Sequence, residues 1–401
     1  MWNSDMETIW NVTSSKAFDA FWRDLAISSD GKYQSLAKGN DYIYISSDYG
    51  NTWVISTSSD QRSWVGISIS SNGKYQTAVA GDGDGDVYIS SDYGATWSDK
   101  TTDNSGNWSS VSISADGKYQ TAVAMNGFVH TSSDYGNTWK RNNTIYAGTN
   151  PAVGISSDGK YQTVIYSGYI YISSNYGNTF VQKFSSYYGE FRSVALSSDG
   201  KYQTVVSGNH WNADANYIYI SSDYGNTWTT STSAGARKWQ DVAISANGKY
   251  QTAISISNGY DADQGSIYFS SDYGNTWVNK NFINNTWRSI VVSAEGNFQA
   301  VISNYSPIYT SYVDISYGGN VNISGNYFIN GSPIIPSGIS GQMLVNQGGA
   351  SWQATSALFV ASNGVSVRDQ LIFDQGGGLY FGKNKISENN WAIDVGSVWS
   401  D

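Results

Sequence analysis

The chain predicts an all-β fold: a seven-bladed β-propeller of four-stranded blades, closed by its N-terminal strand and followed by a small β-rich, fibre-like module. Two repeated lines and one interruption predict it. The octapeptide Ser-Ser-Asp-Tyr-Gly-Asn-Thr-Trp at residues 46–53 recurs almost letter for letter, its later copies ending at Trp97, Trp139, Phe180, Trp228 and Trp277, 41 to 49 residues apart. A period of this size belongs to propellers and solenoids. A second line, Trp-x-x-hydrophobic-small-hydrophobic-Ser-Ser-Asp-Gly-Lys-Tyr-Gln-Thr, occurs seven times, with its glycine at Gly31, Gly73, Gly117, Gly159, Gly200, Gly248 and Gly296. The interruption lies in the last unit, where three strand-like runs are followed by no further octapeptide.

Each unit reads as four short strands. In the first they fall at residues 24–28, 32–37, 41–46 and 52–57, separated by Gly, Asp, Asn and Ser, which supply the positive φ and side-chain bonds that tight turns need. Ser4-Asp5-Met6-Glu7-Thr8-Ile9-Trp10 is a degraded octapeptide, so residues 11–14 are expected as the missing outer strand of the last unit. That strand closes the ring and leaves no open sheet edge within it. Strand direction alternates, so the two repeated turns share one face. The variable loops at 81–86, 141–150, 184–190, 208–216 and 258–265 share the other, which makes that face the expected binding surface.

Composition excludes several classes. The 401 residues contain no cysteine, 42 glycines, 16 Trp, 31 Tyr and 13 Phe, so the core is aromatic and has no disulfide support. A net charge of −10 and the lack of a basic stripe exclude nucleic acid as the main partner. No apolar run approaches the ~18 residues of a membrane span, so no membrane insertion is expected. Asp82, Asp84 and Asp86 start like a calcium loop, but Val87 and Tyr93 stand where that pattern needs Gly and Glu. The two histidines, His130 and His210, fall in different units, and no metal, cofactor or catalytic group is expected.

The Ser-x-Asp-x-Gly-x-Thr-Trp line resembles the Asp-box, or BNR repeat, of sialidase-like propellers and their non-enzymatic relatives, over about residues 1–315. The resemblance implies that the box forms the turn between third and fourth strands. On side-chain chemistry Asp48, Asp92, Asp134, Asn175, Asp223 and Asp272 are structural, each accepting backbone N–H bonds within its turn. Residues present in every blade serve folding, so an asymmetric site must come from positions where copies differ. Arg23, Arg192 and Arg288 share one such position, next to the Trp column of Trp22, Trp64, Trp108, Trp239 and Trp287. The expected ligand-binding set is Trp22, Arg23, Arg192, Trp239, Trp287 and Arg288, the tryptophans being either core or an aromatic floor for sugar rings. Sialidases gather three arginines around a carboxylate. They also need a Tyr nucleophile with an acid pair, and Glu190 is the one glutamate in the variable loops.

From residue 316 the repeats stop. Residues 316–336 read as a linker, and 337–401 as a module whose Gly-Gln-Met-Leu…Gly…Trp segment at 341–352 resembles phage and viral fibre proteins. A segment so short gains a core by associating, as a homo-oligomer such as a trimer. The expected function is a non-enzymatic virion or extracellular-surface attachment protein, bound to other structural proteins, whose propeller takes a glycan or protein receptor. A sialidase-like glycoside hydrolase and a secreted or intracellular interaction scaffold are the alternatives.

Overall fold

The computed structural model describes residues 10–12, 21–81, 86–100, 107–186, 190–208, 216–256, 265–279, 286–303 and 308–312, and three short hairpins between 328 and 385. The chain divides into two compact units, Met1–Val321 and Asn322–Asp401.

The first unit is built from antiparallel four-strand repeats and has no α-helix among the described residues. In the first repeat, Trp22–Ile27, Gln34–Asp41, Ile43–Ser46 and Val54–Ser56 pair in sequence order. Three of these strands begin later than their β-character suggests, and at the second and fourth, turn side chains claim the N–H groups there. Asp30 Oδ1 takes Lys32 N–H, Ser28 Oγ takes Tyr33 N–H, and Asp48 Oδ1 takes Thr52 N–H. A pairing of Gly39 with Ser63 and of Asp41 with Arg62 joins the first two repeats into one eight-stranded sheet. Trp10–Val12 pairs antiparallel with Tyr309–Tyr312, placing Asn11 opposite Thr310, and supplies the outer strand of the last repeat.

The innermost strands contact one another in succession, and Trp287–Val292 returns to Trp22–Ile27. Below them the repeated first turns form a closed circuit of backbone bonds. Ser29 N–H donates to Ser71 O, and the chain of donors runs through Ala115, Ser157, Ser198, Ala246 and Ala294 back to Ser29, each bond 2.8–2.9 Å long. A second circuit is made of buried side chains. Ser35 Oγ, Thr77, Thr121, Thr163, Thr204 and Thr252 each donate to the glutamine of the following repeat at 2.6–3.0 Å. This circuit breaks at one place: Ala300 stands at the Thr position of the last repeat, and Gln34 Oε1 is left buried without a donor.

The octapeptide turns repeat one geometry. In the third, Asp134 Oδ1 accepts Thr138 N–H (2.9 Å) and Ser132 Oγ–H (2.8 Å), while Oδ2 accepts the Thr138 hydroxyl (2.6 Å). Asp48, Asp92, Asp223 and Asp272 do the same, and Asn175 keeps the backbone acceptor role with Thr179. Burial pushes these carboxyls up, but the donated hydrogen bonds outweigh it and hold them below 3.8. The tyrosine after each aspartate takes a left-handed backbone, φ 64° at Tyr93, which costs a side-chain-bearing residue about 1 kcal/mol or more. Its ring lies on an aromatic ring of the preceding repeat, Tyr33 to Tyr93 at 4.7 Å and, at the ring junction, Phe298 to Tyr49 at 6.2 Å, a contact of about the right size to offset that strain.

In the second unit Phe328–Ile329 pairs with Ser332–Pro333, Met343–Asn346 with Trp352–Thr355, and Tyr380–Phe381 with Asn384–Lys385. The remainder of the expected linker and fibre-like module lies outside the described residues.

Candidate functional site

The innermost strands surround a central channel. Its wider compartment, about 910 Å3, opens where the variable loops begin, past Gly81, Met125, Gly208 and Ile256. A collar including Ile27, Ile69, Ile155, Leu196, Ile244 and Val292 separates it from a compartment of about 180 Å3 at the ring of first turns. The two ends therefore belong to the two kinds of sequence: variable loops at the wide mouth, repeated turns at the narrow one.

Local irregularity aims the lining residues. The innermost strands carry a bulge after the Trp-column residue, between Trp22 and Asp24, Phe191 and Ser193, Trp239 and Asp241, and Trp287 and Ser289. An extra residue in one strand bends it and redirects its side chains, so both positions that follow the aromatic line the channel: Arg23 with Asp24, Arg192 with Ser193, Arg288 with Ser289.

Of the six expected ligand-binding residues, the structure brings Arg23, Arg192 and Arg288 together at the mouth and turns the tryptophans away. Trp22, Trp239 and Trp287 are at most 1% exposed. They pack edge to face on Tyr44, Tyr268 and Tyr309, with ring centroids 5.1–5.7 Å apart. Of the two roles open to them, the core role holds and the sugar-stacking floor is corrected. An indole wedged between adjacent sheets buries more apolar surface than one left on a rim.

Arg23 and Arg288 make no ion pair among the described residues, and Arg23 Nε is buried without a hydrogen-bond partner. Burial lowers the Arg288 pKa, and the charges of Arg23 and Arg192 lower it further against the opposing pull of Asp24. Arg192 is anchored: Nη2 meets Glu190 Oε2 at 3.2 Å, and Nε and Nη2 both donate to Gly208 O. A Cβ at Gly208 would lie 2.2 Å from Trp239 O, so only glycine fits beneath that guanidinium. Lys238 joins the same arc, its pKa lowered by burial and by Arg192. The other two arginines near this face are engaged elsewhere, Arg62 with Asp86 and the Tyr88 hydroxyl, Arg237 with Ala234 O and the Tyr268 ring. The mouth is thus a one-sided arc of cations, two of them without an ion pair among the described residues.

Below the arginines lie two carboxylates that sequence reasoning passed over. Asp24 Oδ1 accepts Leu25 N–H (2.9 Å) and Ser289 Oγ–H (3.2 Å), and Oδ2 accepts Ile67 N–H from the next strand (2.9 Å). Asp241 accepts Val242 N–H and Ile290 N–H (both 2.9 Å) and Ser193 Oγ–H (2.5 Å), and the Ser289 hydroxyl also approaches it. Burial raises Asp24 to about 7, against the N–H of Ile67 and with the charge of Asp241 adding to it. Burial raises Asp241 too, opposed by its hydrogen bonds. The signal existed: aspartate occupies this position in two repeats, while the other five carry Gly, Ser or Ala.

The loop segments 82–85, 187–189, 209–215 and 257–264, with Asp82, Asp84 and His210, lie outside the described residues. His130 is fully buried against Trp108. No cluster of three or more His, Cys, Asp or Glu side chains suited to a metal occurs among the described residues.

No family model matches the chain, and no curated protein matches it. Solved structures do. YCF48 bound to D1 peptide aligns with a TM-score of 0.57 at 15% identity, over 76% of this chain and 96% of that one. The GH74 xyloglucanase from Xanthomonas campestris aligns at 0.62 and 10% identity, over 78% of this chain and 55% of the enzyme. The Niastella koreensis GH74 enzyme aligns at 0.61 and 15%, over 74% and 53%. At these identities the likeness shows the fold alone, a β-propeller, shared by peptide-binding and carbohydrate-active proteins.

Proposed function

We propose that this chain is a non-enzymatic attachment protein of a virion or extracellular surface, a seven-bladed Asp-box-type propeller that captures an anionic group of a glycan or protein receptor at the mouth of its channel. The observation that carries the binding site is the arc of Arg23, Arg192 and Arg288 at the opening of a cavity of about 910 Å3, two of them without an ion pair among the described residues. Cations held close together against their mutual repulsion are stabilised by an anion between them. The closed circuits of backbone and side-chain bonds support the seven-blade count. The D1-peptide complex of a propeller of the same fold supports a recognition role. The C-terminal hairpins are read as part of a fibre-like module that oligomerises the chain and multiplies weak single contacts.

A glycoside hydrolase is the second reading, favoured by two carboxylates in the channel and by the GH74 likeness. The hydrogen bonding weighs against it. Both carboxylates are tied to backbone N–H groups of neighbouring strands, as inter-blade staples would be, whereas glycosidase carboxyls flank a scissile bond in an open cleft. Array binding of carboxylated and sulfated glycans and of receptor peptides tests the proposal. Binding abolished by Arg288→Ala, with hydrolysis of chromogenic glycosides at background, is the expected result. Turnover lost on Asp24→Asn would establish the hydrolase instead.

A further inference from the structure

Ser289 stands between the two channel carboxylates and carries one hydroxyl proton. Its Oγ lies 3.2 Å from Asp24 Oδ1, and it also reaches Asp241. With both aspartates ionised, that single proton serves one carboxylate and leaves the other contact as oxygen facing oxygen. One added proton removes the conflict: Asp24 O–H donates to Ser289 Oγ, and Ser289 O–H donates to the Asp241 carboxylate, whose other bonds come from Ser193, Val242 and Ile290.

We propose that Asp24, Ser289 and Asp241 hold one exchangeable proton directly beneath the arginine arc, and that an oxyanion binds at Arg23, Arg192 and Arg288 together with that proton. This rests on the anion-site reading above and adds its regulation. Arg23 is adjacent to Asp24 in the strand, and Arg288, beside Ser289, interacts with Asp24 across the junction between the last and first repeats. The pull toward an ionised Asp24 comes first from the N–H of Ile67, with Leu25 N–H and the Ser289 hydroxyl adding to it, and Arg288 adds its charge from the pair of guanidiniums. An oxyanion seated on them offsets that charge and faces the carboxylate with a like one, so Asp24 holds its proton more tightly in the complex.

Among the described residues, the groups facing Asp24 are few. Arg23 comes from its own strand, Arg288 and Ser289 from one neighbour, and Ile67 N–H from the other, with Asp241 one strand further on. Lys238 and Glu190 sit with Arg192 at the rim. The sign follows. A group whose pKa rises on binding favours the complex fully below its free value and ceases to do so as the pH climbs through its bound value. Free Asp24 titrates at about 7. Affinity is therefore level below about pH 6.5 and weakens above 7, by up to ~tenfold per pH unit for one proton.

Inorganic sulfate is the probe, because its charge is constant over this range. Calorimetric titration of the full chain at pH 8 in two buffers of different ionisation enthalpy reads proton uptake directly. Uptake of up to ~one proton per sulfate is expected. Asp24→Asn, neutral and nearly isosteric, is expected to bind sulfate with no buffer dependence and with an affinity level from pH 7 to 8.5. Sulfate binding that needs Arg288 but takes up no proton at pH 8 overturns the linkage and leaves the anion site standing. Sulfate binding that is absent at every pH, or unchanged in Arg288→Ala, overturns the anion site and the linkage with it. Should Asp24→Asn fail to fold, the two-buffer measurement on the unaltered chain decides alone.

Discussion

The turn aspartates and the channel aspartates are the same residue type under opposite regimes. Asp48, Asp92, Asp134, Asp223 and Asp272 sit at the rim of the repeated face, each satisfied within its own turn and held below 3.8. Asp24 and Asp241 sit in the channel, bonded between repeats and raised by burial. Their difference separates two uses of a propeller. A side chain found in every blade answers a need of every blade, and a side chain found in one or two breaks the symmetry that a ligand site must break.

Removing the closing strand should have the largest effect, because it strikes the ring on which both faces depend. Deleting residues 1–14 removes the partner of Tyr309–Tyr312 and bares a sheet edge beside packed aromatics. A sharply lower melting temperature or aggregation is expected, measured by calorimetry and light scattering. An unchanged melting temperature would show that the strand is dispensable.

A turn substitution and a mouth substitution should then separate stability from binding. Asp134→Ala strips three hydrogen bonds from a charged acceptor, and a loss of about 1.5–3 kcal/mol in denaturant unfolding is expected, with sulfate affinity retained. Arg288→Ala removes a cation with no ion-pair partner among the described residues, so stability should hold within about 0.5 kcal/mol. Its sulfate affinity should fall at least ~tenfold, the size of one lost charge-assisted hydrogen bond.

The two regimes also give opposite pH slopes. Asp24, raised to about 7 from 3.8, contributes stability that is complete below 3.8 and lost as the pH rises through 7. The turn aspartates, lowered, contribute above 3.8 and lose it as the pH falls through their folded values. Melting temperature should therefore peak at mildly acid pH. Asp24→Asn should flatten the descent from 4 to 7 and leave the acid limb in place.

The smallest effect concerns the broken glutamine circuit. Ala300→Thr restores the donor that the other repeats provide to the following glutamine, and a gain of about 1 kcal/mol is expected from satisfying Gln34 Oε1. A loss would mean that the last junction has repacked around alanine.

Much of this was legible in the sequence because repetition averages out local ambiguity. Strand count, turn chemistry and the closing strand follow from two recurring lines, with Trp10–Val12 observed for an expected 11–14. Strand starts were misplaced where Asp30, Ser28 and Asp48 take N–H groups that β-propensity assigns to strands. The tryptophans of the expected site illustrate a different limit. Residue type does not tell which side of an innermost strand faces the channel, and a bulge, invisible in sequence, gives the lumen to Arg23 and Asp24 and the core to Trp22. Asp24 and Asp241 were readable by the odd-copy rule, one position after the arginines.

The central claim is that the arginines at the channel mouth, and not the repeated face, bind the ligand. Sulfate titration of Arg288→Ala beside Asp134→Ala, each with its unfolding curve, tests it most directly. The account predicts crossed outcomes: Arg288→Ala loses binding and keeps its stability, while Asp134→Ala loses stability and keeps binding. Equal sulfate affinity in Arg288→Ala and the unaltered chain, or a binding loss in Asp134→Ala at a temperature where it is fully folded, would contradict it.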